Sequence, residues 1–339
     1  MRLDLACWGA DLDGYVRNAR AAEAAGFSRV WSAELHRSPF VPLAAVAAHT
    51  DHIGIGTGVA LAFVRSPFAT ALAALDLDEL SGGRFTLGLG SGVRRLVERH
   101  HDADFDRPVI RMAETIEIIE RVMADAHTGE RITVDGDVRT ADIAGYRRPH
   151  APVREHIPIV VAAVGPQMVR LAGRRADGWL GHELMSPEYL REVILPELVH
   201  GDAGSDHEFE VTVSASCSVD PDRSAAYRRA AATVAFYASV KTYEPFFAFH
   251  GFGAEAVAVQ ESFASGNTAA MIDAVPDAMV DAVAIAGTPD EVAERIDRYS
   301  ELADAIKLGP TTYFLEPEDT QRSVDGIIEA VGALTMEAR

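Results

Sequence analysis

Short apolar runs alternate with longer amphipathic stretches along the whole chain. The runs Leu3–Trp8, Arg29–Ser32, Ile53–Val59, Phe85–Leu89, Ile157–Ala163, Gly178–Gly181, Phe209–Cys217 and Ala305–Leu308 have the length and residue types of buried strands. Apolar residues recur at helical spacing over Leu12–Ala25, Pro42–Thr50, Pro67–Leu80, Val109–Ala126, Gln167–Arg175, Pro187–Val199, Pro221–Ala238, Pro289–Leu302 and Pro317–Leu334. Strands joined by helices of this length pair in parallel, because antiparallel neighbours need only a tight turn. Thr288-Pro289-Asp290-Glu291 offers a hydroxyl cap, a proline at the first helical position and a glutamate two residues further in. Gly26 and the pair Gly82-Gly83 are helix stops placed just before the second and fourth strands. Eight such units predict a single (β/α)8 barrel domain over 1–339, with an open doubly wound sheet as the alternative arrangement of the same pattern.

Two segments exceed the repeat. Residues 127–156 contain the β-prone pieces Ile132–Val134 and Val138–Thr140, which predict an inserted hairpin. Residues 239–287, with the string FFAFHGFG, predict a lid or partner surface.

Charge and composition narrow the partners. The chain of 339 residues carries 31 Lys and Arg against 51 Asp and Glu, a net charge of −20. An acidic surface repels phosphate backbones and anionic lipid, so nucleic acid and membrane are excluded as expected partners, and a small molecule is expected. The first residues turn acidic at once and lack the apolar core of a secretion signal, and no apolar run reaches membrane-spanning length. A soluble cytoplasmic protein follows. Cys7 and Cys217 are too few for a disulfide framework or a zinc site.

Active sites of such barrels lie at the C-terminal ends of the strands. The third strand runs GIGTGVALAF, with Gly54, Gly56 and Gly58 at alternate positions; the fourth runs FTLGLGSG, with Gly88, Gly90 and Gly92. Glycines clustered on neighbouring strands either let a large ligand approach the backbone or relieve crowding inside the barrel. A third glycine turn, Val164-Gly165-Pro166-Gln167, opens a helix whose first N–H groups can seat a phosphate, which favours the ligand. The GLGSG string lacks the spacing and the following acidic residue of a nicotinamide-binding Rossmann turn.

The strings IGIGTGVALAF (53–63), LDLDELSGGRF (75–85), TLGLGSG (86–92), VGPQMVRLAGRRADGWL (164–180) and AIAGTPDEVAERI (284–296) resemble the luciferase-like monooxygenase superfamily, in particular its deazaflavin-dependent oxidoreductase branch. The resemblance spans nearly the whole chain. It implies a (β/α)8 barrel that binds coenzyme F420, or alternatively FMN, at the C-terminal strand ends. It also implies a cis peptide between Gly58 and Val59 that backs the ring. The phosphate-bearing side chain is expected at Gly90, Ser91, Gly92, Ala163, Gly165, Pro166, Gln167 and Met168. Relatives commonly pair, which implies a homodimer, here through the Pro67–Leu80 helix and its neighbours.

Some relatives carry an Asp-His pair after the second strand, where this chain reads Ala33-Glu34. Glu34 is the candidate general acid or base, or else a carboxylate that ties down a neighbouring strand end; His36 is the competing proton shuttle, or else a partly exposed loop histidine. The glutamate tail of coenzyme F420 asks for local cations, for which Arg94, Arg95, Arg99, Arg170, Arg174 and Arg175 are candidates, a solvated helix face being the equal alternative. His182, after the sixth strand, lies where a substrate could pass or where a core would pack. No metal site is expected, because adjacent helical side chains diverge: the ligand-rich run His100–Asp106 reads as a solvent-facing segment or as a loop that closes over the cofactor. Asp76 and Glu79 share a helix face and are expected to anchor Arg84.

Overall fold

The first helix, Leu12–Ala25, shows how the sequence sets its own boundaries. Asp11 caps it by accepting from Gly14 N at 2.7 Å, and Gly26 ends it at φ 91°. Ser66 caps the helix Pro67–Ser81 in the same way, and Gly82 closes it at φ 64°. Thr288 and Glu291 form a full capping box at the helix Pro289–Asp297.

The computed structural model describes residues 1–198 and 208–337. Its strands are β1 (Arg2–Ala6), β2 (Arg29–Ser32), β3 (Gly54–Thr57), β4 (Ala60–Leu61), β5 (Phe85–Gly90), β6 (Ile132–Asp135), β7 (Thr140–Ile143), β8 (Ile159–Ala162), β9 (Gly178–Leu180), β10 (Glu210–Val219), β11 (Ile285–Gly287) and β12 (Ala305–Pro310). All eight expected strands are present, and their alternation with helices is that of a (β/α)8 barrel.

The chain divides into two compact units. One comprises Arg29–Leu180 and Glu197–Val211. Within it β2, β3, β5, β8 and β9 pair in that order, all parallel, and the short β4 pairs with β5. The hairpin expected in the first insertion is β6–β7, with Ile132 opposite Ile143.

The other unit comprises Met1–Ser28, Gly181–Pro196 and Thr212–Arg339. Its strands pair in parallel in the order β11, β10, β12, β1. Asp4 of β1 and Ser214 of β10 both sit in register with Lys307 of β12, so these three share one face of the sheet. In this unit the second insertion folds on itself. Four short helices, Glu244–Phe249, Gly253–Ala264, Thr268–Asp273 and Asp277–Val283, gather Phe247, Met271, Met279 and Val283 against the helix Arg223–Ala238. A fully buried Phe247 alone contributes about 1.5–3 kcal/mol.

Two local expectations change. The segment Pro187–Val199 is a short helical turn, a π-helical stretch over Leu190–Ile194 and a 3-10 turn, since Pro196 cannot continue a regular helix; Val199 lies outside the described residues. The helix Arg94–His101 lies outside the periodic helical stretches of the sequence, because only Leu96 and Val97 are apolar in it and no stripe shows. Asp76 and Glu79 do not hold Arg84. Both grip Arg148 at 2.8 Å, while Arg84 reaches the carbonyls of Ala47, Thr50, Ile53 and Ser81. The helix face they share looks onto the chain that returns from the hairpin. Among the described residues no helix is long and apolar enough to cross a membrane.

Candidate active site

Trp31, 1% exposed on β2, organises the strand ends of its unit. It packs with Val160 and Leu180, and Val59 and Ala162 lean on that cluster. A Cβ on Gly56 would stand 2.7 Å from the Trp31 ring, and one on Gly58 would stand 3.1 Å from Trp31 Cβ. On Gly88 it would meet Thr57 O at 1.9 Å, on Gly90 Val59 Cγ2 at 2.6 Å, and on Gly92, where φ is 67°, Leu61 Cδ2 at 2.8 Å. These glycines are therefore required by the protein's own packing. The crowding explanation therefore accounts for the side of each glycine on which a Cβ would stand.

What they accommodate is a chain segment that leaves β3, turns at Gly58 and Val59, and rejoins as β4. The cis Gly58–Val59 bond implied by the resemblance is present. Every step of the segment is fastened. Gly58 N donates to Ser32 O at 2.8 Å, Val59 O accepts from Glu34 N at 3.0 Å, and Ala62 N donates to Gly90 O at 2.9 Å. Thr57 Oγ1 donates to Gly88 O at 2.7 Å and accepts from Gly88 N at 2.8 Å.

Glu34 completes this frame. Its side chain, 12% exposed, accepts from Leu61 N at 2.7 Å and from Arg65 Nη1 at 2.9 Å on Oε2, and pairs with Arg65 Nη2 through Oε1. It thus joins the end of β2 to β4, the geometry of a carboxylate that ties down a strand end. Arg65 was not singled out from the sequence; a carboxylate at a strand end that needs a partner was the available clue. His36 is exposed, and no hydrogen bond connects it to Glu34.

Gly58, Val59, Ser91 and Gly92 remain half-buried, so this fastened strip shows an edge to solvent. Gly90 and Ala163 are buried, the latter with its carbonyl accepting from Trp179 Nε1 at 2.9 Å. Gly165, Pro166 and Gln167 are exposed and Met168 is half-buried. Here the space is open, for a Cβ on Gly165 would meet nothing within 4 Å. Gly165 starts the helix Pro166–Arg175 with no side-chain cap. Met168 N and Val169 N both turn back to Gly165 O, Pro166 has no N–H, and Gln167 N–H has no partner among the described residues at the positive end of the helix. An uncapped helix start beside an unfilled glycine can accept a phosphate.

Of the candidate tail-binding arginines, Arg94 pairs with Glu98 and Asp106, Arg170 with Glu197 and Arg175 with Glu120. Arg95, Arg99 and Arg174 form no ion pair among the described residues. His100 and His101 are exposed, and no cluster of three or more His, Cys, Asp or Glu suited to a metal occurs among the described residues. Burial pushes the thiols of Cys7 and Cys217 well above the usual range, which leaves them unreactive.

Comparisons with known proteins bear on the family and the fold. Residues 7–305 match the family described as luciferase-like monooxygenase. The 5,10-methylenetetrahydromethanopterin reductase of Archaeoglobus fulgidus is 32% identical over 300 residues, covering 86% of each chain. The solved coenzyme F420-dependent tetrahydromethanopterin reductase from Methanopyrus kandleri superposes with a TM-score of 0.81 at 21% identity, over 96% of this chain and 99% of that one. An FMN complex has the same fold: the oxygenating constituent of 3,6-diketocamphane monooxygenase from Pseudomonas putida, TM-score 0.68 at 18% identity, over 98% of both chains. By sequence and by fold, the chain belongs to the luciferase-like monooxygenase family.

Proposed function

We propose that the protein is a deazaflavin-dependent oxidoreductase that moves a hydride between coenzyme F420 and a small organic substrate. The observation that carries this reading is the pairing of a rigid, half-buried strip at Gly58–Val59 with an open, uncapped helix start at Gly165. The 32% identity to a 5,10-methylenetetrahydromethanopterin reductase supports it. When bound, the deazaflavin supplies hydride chemistry only, since carbon replaces the ring nitrogen through which flavins react with oxygen.

Each residue has a task in this reading. Gly58 and Val59 back the ring, and the fastening of their segment by Ser32, Glu34 and Gly90 keeps that support still. Gly90, Ser91, Gly92, Ala163 and the turn Gly165–Met168 hold the phosphate side chain, with Gln167 N–H donating to it. Glu34, its oxygens taken by three donors, positions the support. His36 is the freer group for exchanging the substrate's proton with solvent. The proposed unit works in the cytoplasm as a homodimer through the helix Pro67–Ser81, whose Leu80 is exposed.

Turnover separates the two roles. His36→Ala should lower kcat with the deazaflavin and a panel of alcohols and ketones, while Glu34→Gln should weaken cofactor binding first. Unchanged turnover in both variants would remove these assignments. The FMN complex of the same fold favours one second reading, a monooxygenase using reduced flavin and oxygen. Substrate-dependent oxygen consumption with reduced FMN would establish that instead.

A further inference from the structure

A second group of side chains at C-terminal strand ends lies wholly within the other unit. His182 and Glu183 follow β9, Ser216 and Gly309 lie near the ends of β10 and β12, and Tyr313 follows β12. Tyr237 comes from the last turn of the helix Arg223–Ala238 and Tyr243 from the 3-10 turn Lys241–Tyr243.

Their hydrogen bonds run in one direction. Leu184 N donates to His182 Nδ1 at 3.2 Å, so the imidazole proton sits on Nε2 and points to Tyr243 Oη at 3.0 Å. Burial holds this ring neutral, its pKa lowered to about 4. Tyr243 therefore accepts, and its own proton is left for another partner. Tyr237 Oη donates to Glu183 Oε2 at 3.0 Å and lies 3.3 Å from Tyr313 Oη. Glu183 Oε1 makes no hydrogen bond among the described residues, and it looks toward Gly309. A Cβ there would be 3.8 Å from Oε1 and 3.6 Å from Ala215 O, so a methyl would fit in ordinary contact with both. Ser216, 2% exposed and in register with Gly309, has an Oγ without a partner.

An acceptor, a phenolic donor and a hydroxyl of this cluster thus keep unspent hydrogen-bonding capacity. Aromatic surfaces line the cluster: Tyr313 stacks on Phe236 at 3.7 Å, and Tyr237 meets both Tyr243 and Tyr313 edge-on. Lys307, 4% exposed, lies within electrostatic reach of Glu183 and Asp4 and places one positive charge beside the two carboxylates.

We infer that this cluster is a substrate-recognition site for a neutral organic molecule that presents an O–H or N–H donor to Glu183 Oε1 and an acceptor to Tyr243 Oη. The inference rests on reading the chain as an oxidoreductase of small molecules and names the substrate end of it.

Its test needs no cofactor, so its failure is distinct from failure of the deazaflavin reading. Benzamide and N,N-dimethylbenzamide, which lacks the donor, are titrated into the protein by calorimetry and ligand-observed NMR. Benzamide should bind about ten-fold tighter, the worth of one hydrogen bond to a carboxylate. Glu183→Gln should abolish that preference, because Tyr237 keeps the amide oxygen and turns the amide nitrogen toward Gly309. Gly309→Ala should fold with unchanged melting temperature, since its methyl makes only ordinary contacts, and should weaken benzamide. Equal affinity of the two probes for the native chain, no binding of benzamide at millimolar concentration, or undiminished binding in Gly309→Ala would each overturn the inference.

Discussion

The strand ends of β2, β3 and β5 and the cluster around Glu183 use opposite means to prepare a surface. In the first, most polar atoms are spent, with Ser32 Oγ an exception. Thr57, Glu34, Arg65 and the backbone from Gly58 to Ala62 bond one another, and the glycines make room for Trp31 and Val59. In the second, tyrosine, serine and carboxylate oxygens are left over beside a glycine that nothing crowds. A surface that must support a flat ring gains from rigidity. A surface that recognises a substrate needs uncommitted donors and acceptors.

Glycine substitutions break this contrast most sharply. Gly88→Ala forces a methyl into Thr57 O and should cost about 3 kcal/mol or more, read by urea unfolding. The same change at Gly165 has open space and an ordinary φ of −76°, so stability should stay within about 0.5 kcal/mol. If Gly165→Ala destabilised as much as Gly88→Ala, the division between packed and open glycines would be wrong. Next in size is Arg65→Ala, which strands the Glu34 carboxylate and should cost about 2 kcal/mol along with cofactor affinity. Loss of affinity without loss of stability would shift Arg65 from frame to ligand contact.

The smallest effects are pH-dependent and opposite in sign in the two units. His182 is buried neutral, so its native pKa lies below the unfolded value of about 6.5. The unfolded chain then binds the extra proton, and stability falls as pH drops from about 6.5 to about 4. His156, paired with Asp177 at 2.8 Å, has its pKa raised by that hydrogen bond. Its contribution is fully present below about 6.5 and is lost as pH rises through the raised native value. Urea unfolding of His182→Gln should flatten the acid limb, and that of His156→Ala the alkaline one. Matching slopes in the two variants would contradict the environments described for them.

The fold was legible because local signals agreed with one another. Helix caps at Asp11, Ser66 and Thr288, stops at Gly26 and Gly82, and apolar runs of strand length all pointed to one repeat. The helix Arg94–His101 was not legible as a periodic stretch, since its burial depends on Val97 alone. At the candidate site, the motif positions around Gly58 and Gly90 could be found, but their task could not. Whether a glycine faces Trp31 or empty space depends on a side chain on another strand. Glu183, Tyr237, Tyr243 and Tyr313 stand up to 130 residues apart, and no spacing rule connects them.

The central claim concerns which cofactor the glycine-rich rim accepts, and fluorescence titration tests it most directly. Oxidised coenzyme F420 and FMN are each added to the purified chain and to Gly165→Ala. Saturable binding of the deazaflavin at micromolar concentration, several-fold weaker in the variant, and little binding of FMN is the predicted result. Tight FMN binding with none of the deazaflavin would contradict it.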